Sequence, residues 1–214
     1  MNPARPETDI AVIFPTATEA SQFRDSTVQV MVSGVGLTAA AYATSRLLRE
    51  SAPDWCILAG IAGAYPHSGL QVGDTVLVAS AHEADLGVFT PTGFVPMHAA
   101  CPELSFPRRG PQGCRSRSVL PDAPFRWAHC ASVNAAQAPF IETASVDIED
   151  MEAAAFCYVC LEERQPFLAL RTISNIVGDS APWDVGSAVT TLTEAVHTLV
   201  DYLRRQPRAS TDRG

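Results

Sequence analysis

Two glutamates and an asparagine, far apart in the chain, stand where their polarity is out of keeping with their neighbours. Glu152 opens a run, Met151 to Leu161, in which Ala, Phe, Tyr, Cys and Leu leave almost no polar face, so a helix there is expected to be buried all round. The free N–H groups and positive dipole end of its first turn stabilise a carboxylate, whose oxygens can still accept hydrogen bonds from a ligand. Asp150 suits the N-cap. Glu19 follows the apolar run Asp9 to Phe14 and the turn at Pro15-Thr16. That is just past the carboxyl end of a first strand, where a general base can be held over a pocket. From position alone, an ordinary acidic residue in a helix's first turn is the plainer reading. Asn175 ends the stretch Phe167 to Ser174, whose apolar start reads as a parallel strand buried on both faces. Ligands of open α/β sheets bind beyond the carboxyl ends of such strands.

Hydrophobic patterning supplies the scaffold for these groups. Apolar runs at Asp9 to Phe14, Val28 to Val32, Asp54 to Leu58, Thr75 to Ala79 and Trp127 to Asn134 read as strands. They alternate with helical patterns at Thr38 to Glu50, Met151 to Leu161 and Val185 to Arg204, which makes the class α/β. Thr18 to Phe23 enters a further helix, and Asp184 can cap the last one. Ser33-Gly34-Val35-Gly36 is a glycine turn that lacks the rest of a dinucleotide fingerprint, and tight strand-to-helix packing explains it equally well. Ala59-Gly60-Ile61-Ala62-Gly63-Ala64 follows the third strand, and its small residues leave room for a flat ligand against backbone amides and carbonyls. His82, Glu83 and Asp85 end the next strand without the spacing of a metal site. From Thr90 to Asp122, Pro, Gly and Arg cluster as in a long surface loop or flap. Its Arg108, Arg109, Arg115 and Arg117 either bind an anion or are simply solvated. Trp183 reads as an exposed loop aromatic. Residues 1–206 read as one domain and residues 207–214 as a disordered tail.

Composition removes whole classes of function. With 214 residues and 47% apolar content, the chain can bury one sizeable core. A net charge of −8 and a pI near 5.0 leave no broad basic surface for nucleic acid or an anionic membrane, so a small-molecule substrate fits better. All 15 basic residues are arginine, which excludes Schiff-base and P-loop lysines. No apolar stretch approaches a membrane span and no signal peptide is evident, so a soluble cytoplasmic protein is expected. The six cysteines are scattered; Cys56, Cys130 and the pair Cys157 and Cys160 read as reduced core residues, not metal or redox groups. No cofactor and no metal are expected.

In chain order, IAVIFPTATEA, VSGVGLTAAA, ILAGIAGAY, LQVGDTVLV, DMEAAAF and RTISN resemble the nucleoside phosphorylase and nucleosidase family over nearly the whole sequence. The Met-Glu element, followed by Pro-Phe and a strand ending in Ser-Asn, is the most specific mark. Within that family, PTATEA, EADLG, FCYVCLEERQPF and ISNIVG with a later Trp look most like the futalosine hydrolases, menaquinone-pathway enzymes that release hypoxanthine from futalosine. The resemblance implies a three-layer phosphorylase/hydrolase-like fold with a mixed, largely parallel central sheet, a purine nucleoside as ligand, and a homodimer or larger assembly. It implies that Glu152 grips the ribose 2′ and 3′ hydroxyls, with Met151 beneath the sugar, and that Glu19 activates water. Gly60, Ile61, Ala62 and Gly63 then line the base and sugar pocket, Asn175 contacts the purine, and Trp183 is counted among the substrate-binding residues.

Chemistry supports these roles. Breaking an N-glycosidic bond builds oxocarbenium-like positive charge on the sugar and negative charge on the leaving base. A carboxylate such as Glu19 can take a proton from water attacking the anomeric carbon, and an ionised Glu152 can accept two hydroxyl hydrogen bonds beside the growing positive charge. Family members that cleave adenine nucleosides usually carry Asp where this chain has Asn175. Asn cannot act as an acid near neutral pH; its NH2 can donate to a 6-oxo group while its carbonyl accepts from a protonated N7, which favours hypoxanthine or guanine. Phosphorolysis needs a dianion site, and Pro15-Thr16-Ala17-Thr18 offers no arginine, so water is the expected nucleophile; Arg24 and Arg171 stay open as phosphate ligands. After Ile176-Val177-Gly178, Asp179-Ser180-Ala181-Pro182 departs from the Pro and Arg usual in futalosine hydrolases, and Ala153 replaces a common Gly. The expected reaction is hydrolysis of futalosine to hypoxanthine and dehypoxanthine futalosine. Alternatives are a purine nucleoside phosphorylase, an aminofutalosine or methylthioadenosine nucleosidase, and a non-catalytic nucleoside-binding protein.

Overall fold

The computed structural model describes residues 8–97, 120 and 122–206. Its main sheet contains β1 (Ile10–Phe14), β2 (Val28–Val32), β3 (Trp55–Ala64), β4 (Thr75–Glu83), β7 (Arg126–Ser132), β8 (Ile148–Asp150) and β9 (Phe167–Ile176). A separate hairpin pairs β5 (Gly87–Thr90) with β6 (Gly93–Pro96). The described helices are α1 (Ala17–Ala20), α2 (Leu37–Glu50), α3 (Ala153–Glu162) and α4 (Val185–Arg205).

β1 lies between β2 and β3, parallel to both, and β3 runs parallel to β9. β7 is parallel to both β4 and β8. Antiparallel pairing occurs where β8 meets β3 at Gly63 and Ala64, and where β4 meets β9 at Thr75 to Leu77. The sheet is therefore mixed and largely parallel. The pairings β3–β9–β4–β7–β8–β3 also close a ring of five strands, with β1 and β2 extending it from one side of β3.

β1 shows why no polar alternation marked its sequence. Ala11 and Ile13 pack with Leu47 of α2 and Phe156 of α3, whereas Ile10, Val12 and Phe14 pack with Leu192, Val196 and Leu199 of α4. Helices on both faces bury both side-chain sets, which leaves three layers. α4 buries Ala188, Val189, Leu192, Ala195, Val196, Leu199, Val200 and Leu203, the stripe its 3.6-residue spacing predicts. Its cap is the expected one, since Asp184 Oδ1 accepts the Ser187 N–H at 3.1 Å.

Several elements differ from expectation. The third strand, read as ending at Leu58, runs on through Ala59 to Ala64, because β9 pairs with it along its length. β8, three residues long, has no periodicity to announce it. α3 starts at Ala153, not Met151, and its Tyr158, Val159 and Leu161 are half-buried, so the helix is not covered all round. Part of the expected flap is the β5–β6 hairpin; residues 98–119 with the four arginines, and the tail 207–214, lie outside the described residues. Cys56, Cys130, Cys157 and Cys160 are buried.

Candidate active site

Thr16-Ala17-Thr18-Glu19 has the spacing of a capping box, and the single turn it starts fixes Glu19. Thr16 Oγ1 accepts the Glu19 N–H at 3.1 Å and donates to Glu19 Oε2 at 2.5 Å. Glu19 Oε1 accepts the Ile61 N–H of β3 at 2.9 Å. Both carboxylate oxygens are thus held, yet the group borders a cavity of ≈ 340 Å3.

Glu152 borders the same cavity. Its Oε1 accepts the Gly36 N–H at 3.1 Å and its Oε2 accepts Arg171 Nη2 at 3.2 Å. Each oxygen keeps one lone pair, enough for two ligand hydroxyls. This is what the glycine turn serves. Gly36 has φ of +100°, a conformation that strains any side-chain-bearing residue, and that conformation aims its N–H at Glu152. Burial pushes the Glu152 carboxyl up to about 7, against the opposing pull of the Arg171 guanidinium; the nearby Asp150 and Glu19 charges add to the rise.

Behind these two acids stands a residue whose role the sequence did not disclose. Arg171 is fully buried in β9 and donates to Asp150 Oδ2 from Nε at 2.8 Å and from Nη2 at 2.5 Å. Asp150 also accepts Ser132 Oγ at 2.5 Å and the Ala153 N–H at 3.0 Å, so it does bind the start of α3 as expected, although Glu152 occupies the cap position. The signal was available: an arginine inside a strand buried on both faces requires buried anions. Its Nη1 has no hydrogen-bond partner and lies 2.1 Å from where a Gly60 Cβ would sit, with Glu19 Oε1 at 3.0 Å from the same point. Gly60 therefore does not border the cavity, contrary to expectation; it makes room behind the wall for Arg171 and Glu19.

Asn175, at the end of β9, reaches the cavity with Met151, Ile61, Ala62, Gly63 and Trp183. Its Oδ1 accepts Ser174 Oγ at 2.9 Å. A Cβ at Gly63 would lie 3.1 Å from Asn175 Nδ2 and 2.9 Å from Val177 Cγ2, so this position has no space for a side chain. Trp183 is 47% exposed and stands at the rim. Neither arginine kept open as a phosphate ligand is free for that use. Arg24 is exposed, away from the cavity, and donates to the Phe23 carbonyl; Arg171 is committed to Asp150 and Glu152. Among the described residues no cationic side chain lines the cavity, and no cluster of His, Cys, Asp or Glu could hold a metal ion.

Comparison with known proteins agrees with this architecture. The sequence model of the phosphorylase superfamily matches residues 17–205. The chain belongs to the phosphorylase superfamily. This superfamily member is 31% identical over 180 residues to the futalosine hydrolase of Thermus thermophilus, spanning 78% of this chain and 79% of that one. It is 29% identical over 199 residues to the 5′-methylthioadenosine/S-adenosylhomocysteine nucleosidase of Colwellia psychrerythraea, spanning 85% and 74%. A crystal structure of an MTA/SAH nucleosidase superposes with a TM-score of 0.73 at 17% identity, covering 94% of this chain and 98% of the other. A futalosine hydrolase mutant of Helicobacter pylori strain 26695 superposes at 0.65 and 14% identity, covering 91% and 99%. The expected mixed α/β phosphorylase-like fold is the fold observed.

Proposed function

We propose that this superfamily member hydrolyses the N-glycosidic bond of a purine nucleoside carrying a 6-oxo base, with futalosine as the first candidate substrate. The observation that carries this reading is the opening of Glu19, Glu152 and Asn175 onto one cavity. Glu152, with two lone pairs left, accepts the ribose 2′ and 3′ hydroxyls and opposes the positive charge that grows on the sugar. Glu19 takes a proton from water as the water oxygen bonds to C1′. The C1′–N9 bond breaks, the base leaves with the bonding pair, and solvent protonates it at N7. The Asn175 carbonyl accepts that new N–H while its NH2 donates to the 6-oxo group.

Water is favoured over phosphate because a dianion would enter a cavity bordered by Glu19, Glu149, Asp150 and Glu152 with no cation on the described wall. The 31% identity to a futalosine hydrolase supports the substrate. That same acidic wall favours a second reading, in which the 5′ arm is neutral or cationic, as in methylthioadenosine or S-adenosylhomocysteine. The relatives named for those substrates support it too. Incubation with futalosine, aminofutalosine, inosine and methylthioadenosine, with and without phosphate, separates the readings by which free base appears. Hypoxanthine from futalosine without phosphate is the expected result. Release of base only with phosphate overturns hydrolysis, and release of adenine alone overturns the 6-oxo preference.

A further inference from the structure

A third glutamate, Glu149 of β8, borders the cavity and is 5% exposed, and the roles above leave it unused. Its Oε2 accepts the Tyr65 hydroxyl at 3.0 Å and its Oε1 accepts the Gln137 N–H at 2.9 Å. One lone pair on each oxygen is left. Gln137 reaches it with φ of +59°, a left-handed conformation that a side-chain-bearing residue seldom takes, and such strain persists where the surroundings enforce it.

Pairing sets Glu149 opposite Asn175. Gly63 of β3 is in register with Asn175 on one side and with Glu149 on the other. Side chains of register partners project from the same face, and two strand spacings separate their backbones by about 10 Å. The residue between them has no side chain. A flat bicyclic base lying over Gly63 would meet an amide at one edge and a carboxylate at the opposite edge.

We infer that Glu149 is a specificity-determining residue that accepts the N1–H of the base, so that the cavity selects purines carrying a proton at N1 over those presenting a bare N1 acceptor. This rests on the proposed purine reading and extends it: hypoxanthine and guanine carry that proton, and adenine does not. Against adenine, the carboxylate would face a lone pair and lose a hydrogen bond in a buried site.

The test uses the full chain and two substitutions, Glu149→Gln and Glu149→Ala. Calorimetry measures binding of hypoxanthine and 1-methylhypoxanthine, and kcat/KM is measured for inosine and adenosine. The wild type is expected to bind hypoxanthine about ten- to a hundredfold more tightly than its 1-methyl derivative, the range for a hydrogen bond to a charged group. Glu149→Ala should abolish that preference. Glu149→Gln, which can donate as well as accept, should lower the inosine-to-adenosine ratio about tenfold or more. A purely structural Glu149, bracing Tyr65 and Gln137, would lower the melting temperature of both variants and leave both selectivities as they were, which overturns the inference. If Glu149→Ala does not fold, the Gln variant decides. A wild type that binds with the expected preference but releases no base refutes the hydrolase reading alone. A wild type that releases base with selectivities independent of residue 149 refutes this inference alone, and one that neither binds hypoxanthine nor releases base refutes both.

Discussion

Replacing Arg171 by Met should cost far more stability than any exposed salt bridge. The guanidinium makes two bonds to Asp150, at 2.8 and 2.5 Å, and one to Glu152 at 3.2 Å, with side-chain exposures of 0%, 0% and 5% for the three residues. Methionine fills a similar volume, so the dominant loss is electrostatic: Asp150, its side chain 0% exposed, stays buried without its cation, and Glu152, already raised to about 7, is pushed further toward its protonated form. Breaking a buried pair from one side costs about 3–5 kcal/mol. At roughly 2–4 °C per kcal/mol for a chain of this size, the melting temperature should fall by about 6–20 °C. Arg204, whose partners Asp25 and Asp201 are partly solvated, supplies the control; its replacement by Met should cost about 1 kcal/mol or less.

A double variant tests the cause. In Arg171→Met with Asp150→Asn, the carboxylate with the closest pairing is gone, so part of the lost stability should return. Thermal unfolding at pH 7, followed by circular dichroism, reads all four proteins. A single Arg171 variant melting within about 2 °C of the wild type would show that the buried charges are screened some other way. A double variant no more stable than the single would show that packing, not uncompensated charge, sets the cost.

Glu19→Gln should lower turnover at least about a hundredfold while nucleoside binding, read by calorimetry, stays near the wild-type value; near-normal turnover removes Glu19 from the mechanism. Burial raises the Glu152 carboxyl from 4.5 to about 7, so the folded protein carries it protonated below that pH. The ionised form is the one that accepts both hydroxyls, so kcat/KM should drop as pH falls through about 7, and Glu152→Gln should abolish that limb. Stability moves the other way: between pH 4.5 and 7 the folded state holds a proton the unfolded chain has released, and this contribution, full below 4.5, is lost as pH rises through 7. Asn175→Asp should shift preference toward 6-amino purines; an unchanged ratio of inosine to adenosine cleavage refutes the assigned contact. Gly60→Ala would place a Cβ 2.1 Å from Arg171 Nη1 and 3.0 Å from Glu19 Oε1, so it should cost about 1–3 kcal/mol and reduce kcat, both measurable beside the wild type.

What could be read in the sequence was whatever depends on local pattern. β1, β2 and α4 with its Asp184 cap follow from runs of apolar residues at strand or helix spacing. Glu19, Glu152 and Asn175 were detectable as polar groups at the ends of apolar elements, and their convergence on one cavity was expected from the family resemblance. The extension of β3 through Ala64 was not legible, because glycine and alanine carry weak strand preference and only β9 and β8 hold them extended. Arg171 was misjudged because its partners Asp150 and Glu152 arrive from another element. Glu149 went unnoticed for the same reason: its partners Tyr65 and Gln137 come from other segments of the chain.

Why β3 carries glycine at both 60 and 63 follows from its register with β9. Residues three apart on a regular strand face opposite sides. Here the pairing slips between Ala62 and Gly63: Ala62 partners Ile173, Gly63 partners Asn175, and Ser174 has no partner in register. An extra residue of this kind re-aims the chain. Its effect is that Gly60 backs Glu19 and Arg171 while Gly63 backs Asn175, with Glu19 and Asn175 bordering one cavity. The spacing between the proposed base for water and the proposed reader of the purine is therefore set by one strand and its irregularity, not by loops. Glu152 is tied to Gly36 at the start of α2 and to Arg171 of β9, so the sugar grip is linked to the same strand that carries Asn175. Restoring regular β3–β9 pairing would turn Asn175 away from the cavity even if every residue bordering it were kept.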